Sequence, residues 1–456
     1  MHPRNPYQTA PDFASLADAH PVLKSHLIST PNGVSIDFHD EASQRRLTEA
    51  LLARDFNLSV SIPEDRLCPP VRMNYILWLQ DILNVTYMTK LSSENRLIKG
   101  LDIGTGASAI YPLLGCQSDP TWRFVATDID EKSLEYARLN VRDNSLHDRI
   151  TILRSDSAGP LLCHILDSMN ADSLAQEVAF DFTMCNPPFY SSKEDVRRSA
   201  EAKEFQPNAV CTGADVEMIT PGGEAAFVCT MVSESLASRT RCRWYTSMLG
   251  KLSSLTEVVV SLRENHIDNY AITEFVQGQT RRWAIAWSFG DVHLPDSIAR
   301  ISNPSVHSLM PTHNTVQQTY PQPISFDRLS AAVTSVLASI DGLSTRRLNL
   351  RAPQSETSAP TGADVLVEAA GDTWSRAARR RKLHEAVMRV DASSGVALVC
   401  RVACLIYGAA ESKQTTSTAS AMLQCHWVKG RDRGLFESFA SHLSRKVVAA
   451  LSAKGS

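Results

Sequence analysis

Three absences in this 456-residue sequence each exclude a class of function. There is no positive excess: Lys and Arg total 46 against 49 Asp and Glu, a net charge of −3. A protein coated all over with positive charge is excluded, so any polyanion would have to be met by local clusters. There is no Cys-x-x-Cys pair and no Cys/His block at zinc spacing among the ten cysteines. They read as scattered reduced thiols of an intracellular protein, and no metal is expected. No apolar run approaches the ~20 residues of a membrane-spanning helix. Met1 to Tyr7 lack the apolar stretch of a secretory signal. A soluble protein with no membrane partner is expected. No internal repeat is present. Apolar residues at 43% and charged residues at 21% are ordinary for a globular chain, and this length allows more than one domain.

The chain divides by pattern. Residues 1–95 read as an α-rich extension, with helical spacing at Arg45–Leu52 and Met73–Leu83 broken by Pro63, Pro69 and Pro70. From 96 to 290, apolar runs alternate with amphipathic ones. Leu97–Ile103, Trp122–Thr127, Arg149–Leu153, Phe180–Cys185 and Trp244–Leu249 read as strands; Glu131–Asn140 and Glu224–Ser238 read as helices. Tyr270–Val276 and Arg282–Phe289 read as a closing hairpin. The expected fold is α/β, a Rossmann-like sheet with helices on both faces and a mixed edge. Residues 291–325 read as a linker. Residues 326–456 read as a small α+β module, with strands at Asp364–Glu368, Val396–Tyr407 and Ala421–Val428 and helices at Ser375–Met388 and Leu435–Leu451.

Two loops at strand ends carry chemistry. Leu101-Asp102-Ile103-Gly104-Thr105-Gly106 follows a strand and precedes a helix. Glycines let the backbone turn tightly and approach a ligand, and ligands of open α/β sheets sit beyond the carboxyl ends of strands. The third glycine of a dinucleotide loop is missing, and no Gly-Lys-Ser/Thr follows, which excludes a P-loop. Asp102 disfavours pyrophosphate and favours a cationic or amino-bearing ligand. S-adenosylmethionine fits better than NAD, with Asp128 at the end of the next strand placed to accept from ribose hydroxyls. A tight turn without a ligand is the bland alternative.

The second loop is Asn186-Pro187-Pro188-Phe189. An exocyclic adenine amine is a poor nucleophile because its lone pair is delocalised. Two acceptors aimed at its N–H bonds favour the more tetrahedral nitrogen of the transition state. The Asn186 side-chain oxygen and the Pro187 carbonyl supply them. Consecutive prolines stiffen the loop, and Phe189 offers a face for stacking a base. The same tetrad serves protein glutamine and DNA adenine, and a rigid turn without chemistry is the structural alternative.

These residues, with Ile110 to Gly115, Pro11-Asp12-Phe13, Arg72 to Tyr75, Arg243-Trp244-Tyr245, Thr273-Glu274-Phe275 and Trp283 to Phe289, resemble the methyltransferase-like sixteen family of RNA adenine-N6 methyltransferases. The likeness runs from residue 1 to about 290. It implies a seven-stranded sheet and S-adenosylmethionine as cofactor. The substrate it implies is U6 small nuclear RNA, with messenger RNA for S-adenosylmethionine synthetase as a further target; bacterial relatives act on 23S ribosomal RNA. The likeness places Arg72, Gly104 and Asp128 on cofactor-contacting positions and Asn186 to Phe189 on the catalytic tetrad; the candidate cofactor residues together are Arg72, Asp102, Gly104, Thr105, Gly106, Ser108, Asp128 and Asn186. The family often has Glu where this chain has Asp128. The Arg- and Pro-rich loop of relatives is diluted here, where Lys193, Arg197, Arg198 and Lys203 mix with Glu194, Asp195, Glu201 and Glu204. Trp374 to Lys382 resembles part of the RNA-binding vertebrate-conserved region of the animal protein.

The candidate RNA contacts are Arg4, Asn32, Arg197, Arg198, Lys203, Arg281, Arg282, Arg379, Arg380 and Arg381. A target adenine buried in a duplex would have to be unpaired or flipped. The expectation is a nuclear enzyme, with the cytoplasm as a second compartment, acting as a monomer or weak dimer on RNA. The competing readings are a methyltransferase for another RNA, DNA adenine or protein glutamine, and a catalytically idle RNA-binding scaffold.

Overall fold

Strands buried at nearly every position mark the centre of the larger sheet. All six residues of Phe180–Cys185 are buried, as are five of the six in Ile98–Ile103. Burial without alternation means both faces are covered, as in a parallel sheet between helices. The computed structural model describes residues 1–31, 33–66, 73–89, 96–162, 165–166, 178–201, 214–277, 280–320, 324–348, 363–376, 378, 380, 395–407 and 420–453. They form two compact units, Met1–Gly290 with Ile298–Pro311, and Asp291–Ser297 with Thr312–Ser456. No helix among the described residues is long and apolar enough to cross a membrane.

The first unit opens with α1 (Phe13–Ala19), the hairpin β1 (Leu27–Thr30) and β2 (Gly33–Ile36), α2 (Glu41–Phe56) and α3 (Met73–Tyr87). The sheet follows: β3 (Ile98–Ile103), α4 (Ile110–Ser118), β4 (Trp122–Asp128), α5 (Glu131–Asp143), β5 (Ile150–Arg154), β6 (Phe180–Cys185), α6 (Lys193–Glu201), α7 (Gly223–Ser238), β7 (Cys242–Leu249), α8 (Leu252–Glu264), β8 (Tyr270–Gln277) and β9 (Thr280–Trp287). The strand order is β5-β4-β3-β6-β7-β9-β8, with β9 antiparallel to both neighbours and the first five parallel. The chain winds from β3 through β4 to β5 on one side, then returns to place β6 on the other. The switch point therefore lies between β3 and β6, where ligands bind at the carboxyl ends.

Strand β7 shows how the two faces are filled. Its Thr246 hydroxyl lies 2.6 Å from the Tyr75 hydroxyl of α3, and its Met248 sulfur accepts from Tyr111 of α4 at 3.3 Å. Its Tyr245 and Leu249, one residue out of phase, join the opposite core with Val228, Met231 and Val232 of α7 and Leu255, Val258 and Val259 of α8. Helix α3 of this N-terminal segment buries eleven residues, Tyr75 and Trp78 among them. Asn74 also receives the His2 backbone N–H at 2.9 Å and the Asn5 amide at 2.8 Å. The β1–β2 hairpin was not anticipated. Its strands have four residues each, too short for an alternation to stand out.

Close packing within the sheet fixes Gly100. A Cβ there would lie 2.5 Å from Phe182 Cζ and 2.8 Å from Phe124 Cε1. Gly100→Ala is expected to destabilise the first unit by about 1–3 kcal/mol, the usual cost of overpacking, measured by denaturant unfolding.

The second unit is an antiparallel sheet in the order β10 (Thr315–Tyr320), β14 (Ser420–Gly430), β13 (Leu398–Tyr407), β12 (Ala363–Ala369), β11 (Leu343–Leu348). Helices α9 (Phe326–Ala338) and α10 (Arg433–Ala453) share its core, with Leu329, Val333, Phe436 and Phe439 packed against Cys400, Val402 and Leu423. Stretch 291–325 is therefore not all linker, since β10 pairs with β14 along six residues. Both strands missed in this unit, β10 and β11, are edges. An edge strand needs few apolar residues, so Thr-Val-Gln-Gln-Thr-Tyr and Leu-Ser-Thr-Arg-Arg-Leu resemble loop.

Candidate active site

The turn after β3 needs its glycines. Gly104 has φ +72° and Gly106 φ +66°, the left-handed region that side-chain-bearing residues disfavour. This geometry ties the loop to the end of β4. Gly104 and Thr105 donate their N–H groups to the Thr127 carbonyl at 2.9 Å each, and Gly106 donates to Asp128 Oδ2 at 2.8 Å. Asp128 Oδ1 accepts from the Asp130 N–H at 3.0 Å. Burial raises the Asp128 carboxyl above its ordinary range, against the backbone N–H groups of Asp130 and Gly106, which hold it charged.

Asp102, the last residue but one of β3, is 1% exposed. Neither of its carboxyl oxygens makes a well-formed hydrogen bond, and the same holds for Thr105 Oγ1 and Asn186 Oδ1 among the described residues. Buried polar atoms are nearly always paired, so such a group at one strand-end crevice points to a ligand. Burial pushes the Asp102 carboxyl up to about 7, with the nearby Thr105 hydroxyl working against the rise and the Asp128 charge adding to it. Beside them lies a cavity of 410 Å³, the size of a small-molecule site. Gly104, Thr105, Gly106, Ser108, Asp128, Asn186, Pro187 and Pro188 all line it.

The tetrad enters from β6. The Cys185 N–H donates to the Tyr75 hydroxyl at 3.4 Å, and Pro187 is buried while Asn186, Pro188 and Phe189 are half-buried. Tyr190 is fixed by two backbone bonds, donating to the Met218 carbonyl at 2.9 Å and accepting from the Thr220 N–H at 3.0 Å. Phe189 lies against Gly250, where an added Cβ would be 3.0 Å from the ring, and the Arg282 guanidinium sits 4.9 Å from the ring centre. The Gly250 turn is itself held by Glu224 of α7. This carboxylate, 1% exposed, accepts the N–H groups of Gly250 at 2.6 Å and Lys251 at 2.7 Å. Glu224→Ala leaves two amides without their acceptor. The expected loss is about 3 kcal/mol of stability, measured by denaturant unfolding, with a smaller loss for Glu224→Gln.

The other anticipated contacts are not among the residues lining this cavity, or fall outside the described residues. Arg4 reaches α3, donating to Gln80 at 3.0 Å and the Leu77 carbonyl at 3.1 Å and pairing with Asp81. Arg197 pairs with Glu194 at 2.7 Å, and Arg281 pairs with Glu274 at 2.9 Å. Arg198 and Arg380 are exposed. Asn32, Arg72, Lys203, Arg379 and Arg381 lie outside the described residues. Sequence reading missed several cavity-lining residues: Ser155 and Asp156 after β5, Glu217 and Thr220 before α7, and Phe227 and Glu234 on α7. The strand-end rule finds the first pair, because β5 ends at the same edge of the sheet as β3 and β4. Glu234 accepts from the Leu161 and Leu162 N–H groups at 3.0 and 2.7 Å. No sequence signal announces that pairing.

Residues 1–291 match a family model described as RNA methyltransferase. Mouse RNA N(6)-adenosine-methyltransferase METTL16 is 41% identical over 297 residues, 64% of this chain and 52% of the mouse protein. The U6 small nuclear RNA (adenine-(43)-N(6))-methyltransferase of Schizosaccharomyces pombe is 36% identical over 421 residues, 91% of this chain and 96% of the yeast protein. The crystal structure of the N-terminal domain of human METTL16 in complex with SAH superposes with a TM-score of 0.52 at 40% identity, covering 64% of this chain and 99% of that one. The chain spans about half the length of the vertebrate relatives it matches. With a family model covering well over half its residues, and a glycine turn and Asn-Pro-Pro-Phe corner meeting at one switch point, the chain belongs to this RNA methyltransferase family.

Proposed function

We propose that the chain transfers a methyl group from S-adenosylmethionine to the N6 amine of an unpaired adenosine in RNA, with U6 small nuclear RNA as the substrate, acting as a monomer in the nucleus. The observation that carries this reading is the meeting at the switch point of the buried Asp102 and Thr105 at the end of β3 with the Asn186 oxygen after β6, which has no hydrogen-bond partner among the described residues. These residues fit such a donor: an amino group and two ribose hydroxyls need acceptors, and Asp102 and Asp128 are acceptors in low-dielectric surroundings. When bound, the donor supplies a methyl group already activated on sulfonium.

The chain's own residues do the rest. Asn186 Oδ1 and the Pro187 carbonyl accept the two N–H bonds of the amine and draw its nitrogen toward the tetrahedral shape. Pro187 and Pro188 hold this corner without reorganisation, so positioning supplies much of the rate. Phe189, backed by Gly250 and flanked by Arg282, stacks the base. Single-stranded or flipped adenosine alone can reach it. Support for RNA over DNA or protein comes from the names of the matched relatives.

The test is incubation with transcribed U6 RNA and methyl-labelled donor, followed by mapping. N6-methyladenosine at an unpaired position is expected. Label found in DNA or protein acceptors, with none in RNA, would overturn the assignment.

A further inference from the structure

Strand β6 is held unequally at its carboxyl end. Toward β3 its register runs on to Ile103↔Cys185, the residue before the Asn186 corner, but toward β7 the register stops at Phe182↔Trp244. Beyond that point three hydroxyls take the place of the ladder. The Thr246 N–H donates to Thr183 Oγ1 at 3.1 Å, and the Thr246 hydroxyl donates to the Thr183 carbonyl at 2.7 Å. A hydroxyl has one proton to give, so the Thr246 oxygen accepts from the Tyr75 hydroxyl at 2.6 Å. The Tyr75 oxygen in turn accepts the Cys185 N–H at 3.4 Å. Tyr75, Thr183, Cys185 and Thr246 are each 1% exposed or less.

Tyr75 reaches this corner from α3, and its ring is fixed apart from its hydroxyl. Tyr111 packs edge-on with 5.6 Å between ring centres, and Phe275 lies at 5.9 Å. Burial pushes the phenol well above its ordinary range, so it remains a neutral donor at any working pH. Cys185 ends β6, and Asn186 follows with no hydrogen-bond partner for its Oδ1 among the described residues. That oxygen is therefore aimed by the backbone that carries it. The backbone is anchored at Cys185, by Tyr75 on one side and by the pairing with Ile103 on the other. Methyl transfer needs the amine in line with the sulfonium, and a displacement of about 1 Å can cost about 100-fold in rate.

We infer that Tyr75 is a positioning residue for methyl transfer: its hydroxyl, locked by Thr246 and Thr183, sets where the Asn186 acceptor stands, and so governs the rate of transfer and not the affinity for donor or RNA. The inference rests on the N6-methylation reading above and adds to it a residue that does not line the cavity.

The test is methyl transfer to transcribed U6 RNA by the full chain, with kcat and KM measured in two backgrounds. Tyr75→Phe keeps the ring and removes the hydroxyl. It is expected to lower kcat about tenfold, with donor affinity and KM for RNA within about twofold of the parent. In the Asn186→Ala background the same substitution should change kcat less than about twofold, because the group it positions is gone. Thr246→Val should reproduce both results, and it stands in for Tyr75→Phe if that chain does not fold. Thr246→Ser, which keeps the hydroxyl, should restore the rate. An unchanged kcat in either variant, a loss confined to KM, or an equal loss in both backgrounds, as a lower folded fraction would give, would overturn the inference and leave N6-methylation intact. A parent chain that methylates no RNA would overturn both.

Discussion

Replacing Asn186 with alanine is expected to lower methyl transfer to adenosine about 100- to 1,000-fold, the cost of losing one aimed polar group in a preorganised site, and to leave donor affinity little changed. The effect falls on kcat because Asn186 Oδ1 is asked to act on the nucleophile. Its burial without a partner means that no internal bond must break before it serves. The corner stays in place in the variant, since Tyr75, Tyr190 and the two prolines hold it from the flanks. Single-turnover transfer alongside calorimetric donor binding separates the two effects. A loss of donor affinity with an unchanged rate of transfer would assign Asn186 to binding instead.

The second large effect is a pH dependence. With Asp102 raised to about 7 by burial, this carboxyl is largely protonated below that pH in the absence of donor. A ligand amino group favours the ionised form, so binding releases a proton. Donor affinity should fall about tenfold per pH unit below 7 and level off just above it. Asp102→Asn should lower affinity and flatten the profile between pH 5.5 and 7.5. The sign for stability is opposite. A carboxyl whose folded pKa lies above its unfolded value of 3.8 contributes stability that is complete below the unfolded pKa and is lost as pH rises through about 7. Without ligand, Asp102→Asn should therefore gain more thermal stability relative to the parent at pH 8 than at pH 5. Calorimetry in buffers of different ionisation enthalpy reads the proton release directly. A flat affinity profile in the unsubstituted protein would refute the assignment.

The parts of this site that could be read from sequence are those built from local backbone needs. A positive-φ glycine pair after an apolar run, and two prolines after another, announce themselves because few other residues take those conformations. The central strands were legible for a related reason: burial on both faces leaves nothing polar in Phe180–Cys185 except Asp181 and Thr183. The half-exposed elements were not. Strands β10 and β11 meet the core on one face only, and β1 and β2 are four residues long. Glu217 was illegible because it reaches the cavity wall from a four-residue helix more than a hundred residues along the chain from the glycine turn. Glu224 looked like an ordinary first-turn acid of α7 and proved to be the buried anchor of the Gly250 turn.

A crystal structure of the chain with sinefungin and a short adenosine-containing RNA tests the account most directly. It should show the adenine stacked on Phe189, its N6 between Asn186 Oδ1 and the Pro187 carbonyl, and the ligand's ribose on Asp128. An adenine bound away from the Asn186 corner, or sinefungin seated outside the crevice between β3 and β6, would contradict it.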